Sequence, residues 1–211
     1  MKPVKLSTYG WNLSSFQVGL TWSKKSKSSL VSSLKKILGD NHEDHDLDLI
    51  ACLLNKEGHI VNLGHTIEKG SRPVPLVNSD VIYFHNLSMA DESVIHSGDN
   101  QTGEQKVDDE VITVFPDRLS ARFNKIVFMA LLFDAKSKGL DFGHIEGADI
   151  VMRDGRKKVI SRMSISDGPA DSCALTFAEL VREDKGWVCQ PIKQFHNSDS
   201  LAELLRPYIS L

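Results

Sequence analysis

Hydrophobic positions recur along most of this chain with a period of two, over short spans divided by polar gaps. Phe16, Val18, Leu20 and Trp22 alternate with Gln17, Gly19 and Thr21, the pattern of a strand with one buried face. Runs rich in β-branched or aromatic residues follow at Leu47 to Leu54, Val81 to Phe84, Val111 to Phe115, Ile126 to Phe133, Ile145 to Met152, Val159 to Ile165, Ala174 to Val181 and Trp187 to Ile192. Most of the gaps are too short for the helix that a parallel crossover needs, so the spacing predicts a mainly all-β chain, an antiparallel sandwich or barrel. Two segments switch to helical periodicity. Over Lys27 to Leu38, the side chains of Leu30, Val31, Leu34, Ile37 and Leu38 share one face, Lys35 and Lys36 lie off it, and Gly39 stops the run. Over Ser200 to Tyr208, Ser200 and Glu203 have capping-box spacing and Pro207 sits near the end. Residues 64 to 80, with Gly70, Pro73 and Pro75, read as a long polar connection. No repeat or linker divides the 211 residues, which predicts a single domain over 1–211.

Charge refines this outline. The formal total of −3 conceals a segment, residues 1 to 38, with seven Lys and no Asp or Glu, which leaves −10 on the remainder. A basic arm on an acidic body is either a solvated face or an adaptor. In the second case the helix between Lys24 and Leu38 docks on an acidic protein, a nucleic acid or an anionic membrane surface. No apolar run reaches the length of a membrane span and no signal-peptide core follows Met1, so a cytoplasmic protein is expected. Cys52, Cys173 and Cys189 lack CxxC spacing and lie in or beside apolar runs, which predicts buried free thiols.

The chemical signal is acidic density. Between Asp91 and Glu110, seven carboxylates and one Lys share twenty residues with Gly, Ser, Thr and Asn. Separately, Asp46 and Asp48 fall on the same side of an emerging strand. Either these carboxylates stay solvated or a hard cation sits among their oxygens, with Gly98 and Gly103 letting backbone carbonyls converge. EF-hand spacing is absent. His42 and His45, beside Asp44 and Asp46, make a weak case for a transition metal. GxSxG, HExxH, phosphate-loop and dinucleotide-binding motifs are missing, which favours a non-catalytic protein. A hydrolase that uses a bound metal to activate water is the enzymatic alternative.

Several short segments, in one order, resemble a known family. Asp46-Leu47-Asp48-Leu49-Ile50-Ala51 resembles the DLDAS strand of the TerD (tellurium-resistance) family, and Tyr83 to Glu104 resembles its F-x-N-x-x-S-x-D-G-S-V-x-H-x-G-D-N-x-T-G-E signature. Asp108-Asp109-Glu110 falls where that family has GDDE. Lys125 to Phe128, Phe133-Asp134-Ala135, Phe142-Gly143, Ala178 to Arg182 and Trp187 follow in the family's order, so the resemblance spans about residues 16 to 195. It implies a β-sandwich of the TerD type, from which this chain departs by an apparent insertion over 23–44 that carries the basic helix; the short C-terminal helix is the one read above from its cap and periodicity. The resemblance also implies calcium in acidic loops, and a tellurite and stress resistance role exerted through other stress-resistance proteins, without an established enzymatic reaction. By position, the resemblance assigns oxygen donors to Asp46, Asp48, Asn86, Asp91, Asp99, Asn100, Asp108, Asp109 and Glu110, enough for one or two Ca2+ ions. The chain departs from the pattern at Gly103-Glu104-Gln105-Lys106-Val107, where the family reads G-E-G-D-G. Lys106 thus stands where an acid is expected, and one site is predicted to be weakened or lost. Ser23 replaces an acid after Trp22, and Asp91-Glu92 replaces Asp-Gly.

Overall fold

The computed structural model of the chain describes residues 4–5, 10–12, 14–24, 46–100, 108–166, 168–184 and 186–210. Within them, antiparallel strands numbered in chain order form a sandwich of two sheets. The first sheet has the order β1 (Val4–Lys5), β13 (Gly186–His196), β12 (Ala174–Glu183), β9 (Lys125–Leu132), β3 (Leu47–Leu54) and β6 (Val81–Ile82). The second has the order β11 (Val159–Ser164), β10 (Ile145–Asp154), β2 (Phe16–Lys24), β8 (Glu110–Val114) and β7 (Val94–His96).

Side-chain alternation explains the layering. In β3 and β9, Leu47, Leu49, Ala51, Leu53, Ile126, Phe128, Ala130 and Leu132 enter the core between the sheets. The intervening Ile50, Cys52, Leu54, Val127, Met129 and Leu131 face the other way, into a second apolar cluster with Leu204 and Leu205 of the C-terminal helix α1 (Leu201–Leu205). Both strands are therefore hydrophobic at nearly every position, whereas β2 buries Phe16, Val18, Leu20 and Trp22 and leaves Gln17 and Thr21 half-buried. Helix α1 starts where its cap predicts, with the Ser200 hydroxyl accepting from the Glu203 N–H at 3.4 Å. The Glu203 carboxylate turns to the Ser198 hydroxyl, so only half of the capping box forms. All three cysteines are buried free thiols, as expected.

Three elements differ from expectation. Residues 64 to 80 hold a hairpin, β4 (His65–Lys69) and β5 (Arg72–Val77), rather than a plain connection. Val74 is its one buried residue, so almost no apolar alternation marks it, and Pro73 and Pro75 argue against a strand by propensity. Strand β7 lies inside the acidic run, and the run Val81 to Phe84 yields only the two residues of β6. The basic helix expected over Lys27 to Leu38 lies outside the described residues. No helix among the described residues is long and apolar enough to cross a membrane.

Candidate metal centre

The shortness of β6 creates the site. It pairs with β3 only at Ala51 and Cys52, so the edge of β3 around Leu49 meets no neighbouring strand. Side chains from the opposite sheet occupy that edge instead. Glu110, fully buried, accepts the Leu49 N–H at 2.7 Å through Oε2 and the Asn100 N–H at 3.3 Å through Oε1. His96 places Nε2 3.1 Å from the Leu49 carbonyl and 3.3 Å from Glu110 Oε2, while its Nδ1 accepts the Gly98 N–H at 3.0 Å. With Nδ1 accepting, the proton sits on Nε2, and a neutral imidazole donates toward both oxygens. Asp109 adds two ties, accepting from the Trp22 N–H at 3.0 Å and from Asn100 Nδ2 at 3.2 Å. The loop carrying Asp99 is thereby fastened to β3 through the residue after Asp48 and the residue after Asp99.

Onto this frame Asp46, Asp48 and Asp99 each bring a carboxylate oxygen, all within 4.8 Å of one another. Asp48 is 2% exposed, and its Oδ2 is buried with no hydrogen-bond partner among the described residues. Loss of hydration, followed by the negative charges of Asp46, Glu110 and Asp99, pushes its pKa well above the usual carboxylate range. Burying an ionised carboxylate that lacks a partner costs several kcal/mol, roughly, and like charges around it add to that. A hard cation removes both penalties at once. An oxygen-only donor set with an orphaned buried oxygen fits calcium better than metals that favour nitrogen or sulfur.

The other expected donors have different partners. Asn86 closes the turn before β6, donating to the Val81 carbonyl at 2.7 Å and the Ser79 carbonyl at 3.2 Å and accepting the Asn78 N–H at 3.2 Å. Asp91, exposed, accepts the Ser93 N–H at 3.0 Å in a tight turn. Asp108 receives both terminal nitrogens of Arg153, at 2.5 and 3.0 Å. Asn100, Asp109 and Glu110 build the frame just described. The structure thus gathers Asp46, Asp48 and Asp99 and directs the side chains of Asn86, Asp91 and Asp108 elsewhere. His96 and Arg153 were not among the expected site residues. The imidazole could have been suspected from its place among carboxylates in the quoted signature, but nothing in the sequence pairs Arg153 with Asp108. His42, His45, Glu104 and Lys106 lie outside the described residues.

Comparison with known proteins agrees with this architecture. The TerD domain model matches residues 71–208. The chain is 36% identical to tellurium resistance protein TerX of Serratia marcescens over 208 residues, covering 98% of this chain and 95% of that protein. It is 29% identical to tellurium resistance protein TerD of Serratia marcescens, over 90% of this chain and 85% of that one. Stress response protein SCP2 of Bacillus subtilis is 27% identical over 93% and 90% of the respective chains. The crystal structure of a homologue of telluride resistance protein TerD from Streptomyces coelicolor shares the fold, with a TM-score of 0.64 at 19% identity over 90% of this chain and 95% of that one.

Proposed function

The chain belongs to the TerD family, and on that premise we propose that it is a non-catalytic, calcium-binding protein of tellurite and stress resistance that acts by binding other proteins. Tellurium resistance and stress response are what its relatives TerX, TerD and SCP2 are named for. The observation that carries the calcium reading is the Asp48 Oδ2 atom, buried without a partner among the described residues and beside the carboxylates of Asp46 and Asp99. These three residues are the proposed ligands, and Glu110, Asp109 and His96 hold the strand and loop that present them. Three buried free thiols suit a reducing, cytoplasmic compartment.

The reading has a distinctive signature. In chelator, Asp48→Asn should raise the melting temperature, because it removes a buried charge that only a cation can compensate. The same variant should abolish the calcium response. For the unsubstituted chain, a ligand that binds only the folded state adds about 2.7 kcal/mol at a hundredfold excess over Kd. Calorimetric titration and thermal unfolding with and without chelator read both effects. A chain whose stability is indifferent to millimolar calcium would sink the proposal.

A further inference from the structure

Asp108, Asp109 and Glu110 are consecutive carboxylates, yet they serve different ends. Asp109 and Glu110 bind the loop at Asn100. Asp108 lies against β2 and pairs across to β10, and it is not part of the group formed by Asp46, Asp48 and Asp99. We propose that Arg153 is a built-in counter-ion that withdraws Asp108 from the cation cluster, so that this end of the sandwich holds one divalent cation rather than two. The inference rests on the calcium reading above and specifies its stoichiometry.

Three observations converge on it. The first is the bidentate geometry: both Asp108 oxygens accept charge-assisted hydrogen bonds from one guanidinium, at 2.5 and 3.0 Å. The second is seclusion, since the Arg153 and Asp108 side chains are only 16% and 9% exposed, where a unit charge is poorly screened. A divalent ion approaching Asp108 therefore meets a fixed positive charge already in contact with the carboxylate. The third is the room made for the pair. Gly19 has no side chain, and a Cβ there would lie 2.4 Å from the Asp108 carboxylate carbon, so β2 is shaped to seat this carboxylate away from the cluster. Charge counting agrees. The carboxylates of Asp46, Asp48 and Asp99 carry −3 when ionised and one divalent ion reduces this to −1, whereas a second ion needs a further carboxylate, and among the described residues Asp109 and Glu110 are engaged in holding the loop and β3 while Arg153 has already neutralised Asp108.

Native mass spectrometry of the full chain counts bound calcium, and titration calorimetry gives its affinity, for the unsubstituted chain, Asp108→Asn, Arg153→Met and the double variant. One ion is expected in the unsubstituted chain, in Asp108→Asn and in the double variant, with Kd values within about twofold of each other, whereas Arg153→Met, which frees Asp108, should take up a second, weaker ion; a single ion in Arg153→Met overturns the inference. In chelator each single variant should melt about 2–4 °C lower, and the double variant should melt no lower than the worse single one, because the two residues act on each other. Two ions in the unsubstituted chain overturn the inference, as does a tenfold loss of affinity in Asp108→Asn. Additive losses in the double variant overturn it too. These results leave the calcium reading standing as long as Asp48→Asn removes the ion. An unsubstituted chain that binds no calcium defeats both.

Discussion

Single carboxylates in this protein either strain the fold or fasten it, and Asp154 is of the second kind. Its Oδ1 accepts the N–H groups of Arg156 and Lys158 at 2.9 and 2.8 Å, and its Oδ2 accepts that of Asn12 at 2.9 Å, joining segments 142 residues apart. Burial pushes its pKa up, but the three backbone donors outweigh burial and leave it below the ordinary value. A carboxyl group whose folded pKa is depressed stabilises the fold above its unfolded pKa, about 3.9, and loses that contribution as pH falls through the lower folded value. Asp154→Asn should therefore cost about 1–3 kcal/mol at neutral pH and flatten the decline of stability below about pH 4. Thermal unfolding across pH measures both, and parallel acid limbs for the variant and the unsubstituted chain would rule this account out. At this scale the sequence was partly legible. The Asp46 and Asp48 pair could be read because a strand's period of two sends both to one side. The frame could not, since Glu110 reaches Leu49 across 61 residues and only because β6 stops at Ile82.

Elements were legible in proportion to their burial. β2, β3, β9 and β12 appear where period-two or continuous apolar runs predicted them, since a buried face dictates residue type. The hairpin β4 and β5 was not, because its residues are selected by turn geometry and by local ties such as the Tyr83 hydroxyl donating to the Pro75 carbonyl at 2.6 Å. Its base depends on Gly64, whose φ of +64° suits glycine and whose missing Cβ would otherwise lie 2.1 Å from the Val77 carbonyl oxygen. Gly64→Ala should disrupt this pairing at a cost of about 1–3 kcal/mol. Hydrogen exchange resolves the effect by location: amides of residues 65–77 should lose protection while those of β3 and β9 keep theirs. Unchanged exchange in the hairpin would show that the close approach at Gly64 is not what holds it.

The whole molecule is more than two sheets face to face, because the strands β3 and β9 of its first sheet are buried on both sides. Leu204 and Leu205, 5% and 2% exposed, cover Ile50, Cys52, Val127, Met129 and Leu131, and the Ile60 N–H donates to the Tyr208 carbonyl at 2.8 Å, tying the turn after α1 to the segment that follows β3. Fully burying a leucine contributes about 1.5–3 kcal/mol, so these two side chains alone supply a large part of the 5–15 kcal/mol, roughly, by which a domain is stable. Without the C-terminal segment the outer rows of β3 and β9 become an exposed apolar patch, the kind of surface that drives association. A chain ending at Asp199 should melt at a markedly lower temperature, bind the dye ANS in its native baseline and elute as oligomers. The point variant Leu204→Asp should reproduce the loss of stability in milder form, by placing one charge in that layer. If the shortened chain melts within a degree or two of the full one and stays monomeric, α1 is an ornament on a self-sufficient sandwich, and the nearly continuous hydrophobic runs of β3 and β9 need another cause.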